Sequence, residues 1–222
     1  MTSPRFVTLL VSLIAGAHAF AQERLNLTSP VDFQVIQRDS RESGKMMIAG
    51  SLTGAGQLIA NLDLEARLSA PGHDWALVCQ IPVGQNTFSK EIAAPSGGWF
   101  RLDVRARSGE EVIAQSAIEH VGIGEIFVIA GQSNSANHGS ERQNATSGLV
   151  TTFDGETWKI ANDPQPGASG GGGSFLPPFG DALAARLNVP IGIVATGVGA
   201  TSVREWLPKD TVFPNPPTIL SN

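Results

Sequence analysis

Residues 122–134 read Gly-Ile-Gly-Glu-Ile-Phe-Val-Ile-Ala-Gly-Gln-Ser-Asn, and the class of the fold turns on them. Ile126 to Ala130 is an unbroken apolar run, the pattern of a strand buried on both faces of a parallel sheet. A polar turn, Gly131-Gln132-Ser133-Asn134, follows at once. Active sites of open α/β sheets lie outside the carboxyl ends of their strands, and a serine on a tight turn there can expose its hydroxyl. The same tetrapeptide also reads as a helix start, with Ser133 or Asn134 capping free N–H groups.

Downstream, Phe179, Leu183 and Leu187 recur at four-residue spacing, one stripe of an amphipathic helix. Asn188 closes it and Pro190 prevents its continuation. Ile191-Gly192-Ile193-Val194-Ala195 is a second apolar strand. A strand, an excursion, a helix and a strand is the grammar of an α/β fold with a parallel sheet. Pro164 to Pro178, with Gly170-Gly171-Gly172-Gly173 at its centre, is expected to be a mobile surface loop. No Lys-Ser/Thr follows that glycine run, so it lacks a P-loop's phosphate grip.

Upstream the period changes to two. Phe100, Leu102, Val104 and Ala106 alternate with Arg101, Asp103, Arg105 and Arg107, a strand with one buried face. Shorter runs of this kind lie at 33–37, 45–52, 62–68, 75–81, 87–92 and 112–118, separated by turn formers such as Pro71-Gly72 and Gly97-Gly98. About seven short strands at this spacing predict a β-sandwich over 22–121.

Residues 1–21 have the order of an export signal: Arg5, then the apolar Phe6–Ala15, then Ala19-Phe20-Ala21. Cleavage is expected after Ala21, with Ala19 as the competing site and an uncleaved membrane anchor as the other reading. No later apolar run approaches the ~18 residues of a membrane span. The chain is therefore expected to be secreted or periplasmic. Its net charge of −5 offers no basic patch for nucleic acid, and the single Cys79 allows no intrachain disulfide and no cysteine-built metal site. Asn26-Leu27-Thr28 and Asn144-Ala145-Thr146 match glycosylation sequons, which only a eukaryotic secretory host would use.

With these pieces in place, Glu125 to Asn134 resembles the first conserved block of SGNH hydrolases, closest to the sialate O-acetylesterase-like and acetylxylan-esterase-like branch. Pro190 to Ile193, with Gly197-Val198-Gly199-Ala200-Thr201-Ser202-Val203-Arg204-Glu205-Trp206, is similar to the second block. The resemblance implies Ser133 as nucleophile, an oxyanion hole from the backbone N–H groups of Ser133 and Gly199, and Gln132 and Asn134 in support. Ala200 departs from the usual glycine. The resemblance further implies hydrolysis of acetyl esters on a carbohydrate, with no cofactor and no metal. The fold it implies is an α/β arrangement: the sandwich, then a flavodoxin-like α/β/α hydrolase unit over 122–222.

Two parts of that machinery, the late Asp-x-x-His block and a middle block that supplies a further oxyanion side chain, are missing from the pattern. The family takes its base from an Asp-x-x-His block, and none of His18, His73, His120 and His138 has an aspartate three residues earlier. The catalytic Asp and His are expected beyond residue 222, and the α/β unit, with two convincing parallel strands, is expected to be incomplete. His138, five residues after Ser133, is read as a solvated residue. Trp158 and Trp206 are open to two readings, stacking on a sugar or packing in the core. The competing functional reading is a non-catalytic carbohydrate-binding module or an inactive fragment.

Overall fold

The computed structural model describes residues 24–54, 60–208 and 211; the expected export segment, residues 1–21, lies outside them. The described chain is mostly β. Strands β1 (Arg24–Ser29), β3 (Ser43–Thr53) and β6 (Thr87–Pro95) form one antiparallel sheet in the order β1-β3-β6. A second sheet contains β4 (Leu62–Leu68), β5 (Ala76–Ile81), β7 (Gly97–Ser108), β8 (Glu111–Ile129), β9 (Val150–Phe153), β10 (Trp158–Ile160) and β11 (Ile191–Ala195). Its order is β10-β9-β11-β8-β7-β4-β5, and β2 (Gln34–Gln37) pairs with β8 from the side.

Alternation drives the sandwich half. Met46, Ile48 and Leu52 of β3 point inward, as do Leu62, Leu64, Ala66 and Leu68 of β4 and Leu102, Val104 and Ala106 of β7. Together they make one apolar core between the two sheets, the expected consequence of a period of two on facing pleats.

β8 joins this half to the next. Its first part pairs antiparallel with β7 as far as Ile123, residues 121–124 run parallel to β2, and Glu125–Ile129 run parallel to β11. The change of character at residue 122 thus falls within one continuous strand. Gly124 is placed for a steric reason: a Cβ there would lie 1.9 Å from the carbonyl oxygen of Pro190, the residue leading into β11.

The parallel part has three strands rather than two, in the order β9-β11-β8. α1 (Leu176–Leu187) packs on it through Leu176, Ala184 and their neighbours, against Val150, Ile191 and Ile193. Pro177 and Pro178 sit in the first turn of α1, where their missing N–H groups have no intrahelical partner to lose. Asn188 ends the helix in the left-handed conformation at φ 54°. Among the described residues α1 is the one α-helix, and it covers one face of the sheet. In consequence Val128 of β8 is 66% exposed, so the apolar run is not buried on both faces as its composition predicted.

Candidate active site

The serine turn leaves the carboxyl end of β8 and the second glycine-bearing turn leaves that of β11, its neighbour in the sheet. Two backbone hydrogen bonds extend their pairing beyond the strands, and a third ties the segment bearing Ser169 to the second turn. Thr196 N–H donates to Ile129 O (2.9 Å), Val198 N–H to Gly131 O (2.8 Å) and Ser169 N–H to Gly197 O (2.8 Å). Gly197 is needed for the contact, because a Cβ there would stand 2.1 Å from the carbonyl oxygen of Ser135. Gly131 lies at φ 139°, a region in which L residues are strained.

Ser133–Ser135 is a single 3₁₀ turn, held by Ser135 N–H to Gln132 O (2.9 Å) and Ala136 N–H to Ser133 O (3.3 Å). It has no side-chain cap bond and does not continue into a helix, so the capping role open in the sequence is not taken up. The Ser133 hydroxyl donates to Gln132 Oε1 at 2.7 Å. Ser133, Asn134, His138, Glu141, Gln143 and Phe175 line an open cavity of about 370 Å³.

The segment read as a mobile surface loop is tied down. Buried Asn137 accepts from the Gln165 N–H (2.7 Å), donates through Nδ2 to the carbonyls of Gln165 (2.9 Å) and Ala168 (3.2 Å), and donates its own N–H to Ser169 O (2.9 Å). Asp163 receives the N–H groups of Gln143 and Ser174, the Ser174 hydroxyl and the Gln165 amide. Arg142 donates twice to Gly171 O. Polar side chains thus do here what a regular ladder does elsewhere, which is why a glycine count misjudged the segment.

This fixed segment presents Ser169 to the second turn. Gly199 N–H donates to Ser169 Oγ at 2.7 Å, and His138 Nε2 lies 3.2 Å from the same oxygen. A Cβ on Gly199 would meet His138 Nε2 at 2.7 Å, so the imidazole rests directly on that glycine. Beyond it Ala200 takes φ 63°, where the glycine of the resemblance would carry no strain. A capping box then closes the turn. Ser202 N–H donates to Glu205 Oε2 (2.7 Å), and this backbone bond first, with the Ser202 hydroxyl second, holds the Glu205 carboxyl below its usual range.

The structure therefore brings Gln132, Ser133 and Asn134 to one rim and Gly199 to the adjoining turn. Ser133 has no imidazole partner among the described residues. Ser169, inside a Ser-Gly run, carried no signal by which the sequence could have marked it. Trp158 packs against Phe153, ring centroids 5.2 Å apart, and Trp206, 37% exposed, donates its indole N–H to Thr201 Oγ1. Among the described residues no cluster of three or more His, Cys, Asp or Glu could hold a metal ion, and no helix is long and apolar enough to cross a membrane.

Residues 123–216 match the family model described as carbohydrate esterase, sialic acid-specific acetylesterase. The resemblance to that esterase branch, first carried by the serine and glycine blocks, thus holds over this segment. No curated protein matches the chain. Among solved structures, a protein provisionally described as a beta-galactosidase from Bacteroides fragilis shares 13% identity over 51% of this chain, at a TM-score of 0.30. The chain spans about 20% of that protein's length. The CARDB domain of a Pyrococcus furiosus protein shares 10% identity over 46% of this chain and 95% of its own, at a TM-score of 0.26.

Proposed function

We propose, for a chain whose residues 123–216 match a carbohydrate esterase family, that it carries the nucleophile and oxyanion donors of a carbohydrate O-acetylesterase. In this reading 122–222 is the first part of an SGNH-type α/β/α unit, 22–121 is a sandwich domain, and 1–21 directs export to the periplasm or beyond. The observation that carries the reading is the juxtaposition of two turns. Ser133 stands at the carboxyl end of β8, and the turn bearing Gly199 is held against it by the close approach of Gly197 to Ser135.

Chemically, Ser133 Oγ attacks the acetyl carbonyl while a base takes its proton, and the carbonyl oxygen becomes an oxyanion. Backbone N–H groups of Ser133 and Gly199 stabilise that charge; one such donor is worth about 2.7–4 kcal/mol. The Gly199 N–H donates to Ser169 Oγ, and in this reading that bond opens before the donor serves the oxyanion. Collapse expels the sugar oxygen, which takes up the proton, and water then hydrolyses the acetyl-Ser133 ester. Gln132 Oε1 holds the Ser133 hydroxyl but, as an amide oxygen, is no base. The imidazole that activates the serine belongs, in this reading, to the Asp-x-x-His block of the resemblance, a pattern absent from the 222 residues.

The test is hydrolysis of an aryl acetate and of an O-acetylated sugar by the protein as its host exports it, wild type against Ser133→Ala. Activity falls to background with the circular dichroism unchanged. Retention above about 1% of wild-type turnover by the folded variant would overturn the assignment.

A further inference from the structure

A serine hydroxyl and an imidazole meet beside the second turn, apart from the Ser133 hydroxyl that Gln132 holds. Ser169 Oγ lies 3.2 Å from His138 Nε2 and accepts the Gly199 N–H at 2.7 Å. Two glycines give the imidazole its place, one of them in the run that the sequence singled out. A Cβ on Gly170 would stand 3.2 Å from His138 Cε1, and one on Gly199 would stand 2.7 Å from His138 Nε2. A side chain at either position would push the ring off Ser169.

Backbone bonds fix the pair from both sides. Asn137 N–H donates to Ser169 O (2.9 Å), Gly139 N–H to Gly173 O (2.9 Å) and Ser169 N–H to Gly197 O (2.8 Å). His138 therefore sits between two anchored residues, opposite a segment that is itself anchored to the turn after β11. A hydroxyl becomes reactive when a positioned base stands within hydrogen-bond reach, and this pair is so positioned. Ser169 Oγ takes the Gly199 N–H on a lone pair, which leaves its own proton free for His138 Nε2 in the tautomer protonated at Nδ1. As that proton leaves, negative charge grows on Oγ, and the Gly199 N–H favours it. His138 is exposed and borders the open cavity beside Ser133, so an ester reaches the pair from solvent.

We propose that Ser169 and His138 form a second acyl-accepting dyad that takes activated acetyl esters, with Ser169 as nucleophile and His138 as base. Ser169 Oγ bonds to the acetyl carbon, the bond from that carbon to the leaving oxygen breaks, and an aryl oxide departs. His138 Nε2 takes the serine proton and releases it to solvent. Water then attacks the acetyl-Ser169 ester and gives a proton to His138, which passes it to the departing Ser169 oxygen as acetic acid leaves. Among the described residues no carboxylate is bonded to His138. A triad without its aspartate loses about 10⁴ in rate, so the dyad acylates and then discharges slowly. Its signature is a single acetyl group per chain rather than turnover, and it stands whether or not Ser133 is a nucleophile.

The experiment mixes the full Ser133→Ala chain with p-nitrophenyl acetate in stopped flow and locates the acetyl group by peptide mass. A burst of about one nitrophenolate per chain is expected, with the acetyl group on Ser169, followed by slow release. Ser169→Ala removes the burst. His138→Gln slows it about a hundredfold or more, the share a positioned base supplies, and imidazole added to His138→Ala restores acetylation of Ser169. That rescue separates a base from a residue that merely braces the loop. Circular dichroism reports the fold of each variant; if Ser169→Ala unfolds, the acetylated peptide and the rescue decide. Acetyl carried on a residue other than Ser169, a burst unchanged in folded His138→Gln, or no burst at all would each overturn the dyad and leave the contact as a brace for the second turn.

Discussion

Replacing Gly197 by alanine tests the contact on which the candidate site is built. The added Cβ would stand 2.1 Å from Ser135 O, 2.6 Å from Ser135 C and 3.0 Å from Ala136 N. All three atoms are backbone, so no rotamer change makes room. Restoring van der Waals separation requires the turns to part by about 1 Å or more. Overpacking of this kind costs about 1–3 kcal/mol. Parting the turns also strains the bonds from Val198 N–H to Gly131 O and from Thr196 N–H to Ile129 O, each worth about 1 kcal/mol. The expected loss is about 2–4 kcal/mol, a fall in Tm of roughly 5–15 °C for a chain of this size. The assay is thermal and urea unfolding by circular dichroism, beside Gly171→Ala as control, since a Cβ at Gly171 meets nothing within 4 Å. If Gly197→Ala unfolds at the same temperature as Gly171→Ala, the turns are not in contact and the site as described fails.

Three further outcomes follow from the same geometry. Ala200→Gly relieves a left-handed alanine at φ 63° and raises stability by about 0.5–1 kcal/mol in urea unfolding, against the entropic cost of glycine in the unfolded chain. Glu125→Gln loosens β2 from β8, because Glu125 accepts from Gln37 Nε2 (2.6 Å) and pairs with Arg38 Nε (2.8 Å). The Gln37 bond first, opposed by partial burial and joined by Arg38, holds this carboxyl below its usual range; its contribution is therefore present above the unfolded-state value of roughly 4.3 and lost as pH falls through the lower folded value. The stability gap between wild type and variant, about 1–2 kcal/mol at neutral pH, accordingly closes in acid, which paired melts from pH 7 to 3 would read. Gly199→Val drives a side chain into His138 Nε2 and displaces the oxyanion donor, so kcat falls about a hundredfold while KM changes little; an unchanged kcat moves the donor elsewhere, with Gly197 next in line.

The parts of the fold legible in the sequence are those whose burial follows a simple period. β4 and β11 begin and end where alternation and an apolar run placed them. α1 starts three residues before the predicted Phe179, since a proline pair reads as a stop when it stands equally well in a first turn. β9 was missed because two of its four residues are threonines, buried here with hydroxyls that find no protein partner. β10 has only three residues, Trp158–Ile160, too few for a period to register. Gly122 and Gly124 read as a break between units, whereas they admit Pro190 to the side of an unbroken strand. At the site, Ser133 and its turn were legible through the strand that ends in them. Ser169 and Asn137 were not, because their partners lie some thirty residues away and are joined only by folding.

The passage of β8 through both halves of the molecule also bears on modularity. A flexible tether would let the front half drift or be exchanged without consequence for the back. Here the nineteen residues from Glu111 to Ile129 are a common beam: one end is clamped in the sandwich core and the other carries the serine. Fraying at either end must be resisted by hydrogen bonds at the other, so the two halves share a cooperative unit of opening. A graft that swaps the sandwich for another module must therefore supply a strand in register and a matching core. A linker spliced at residue 121 would cut the beam.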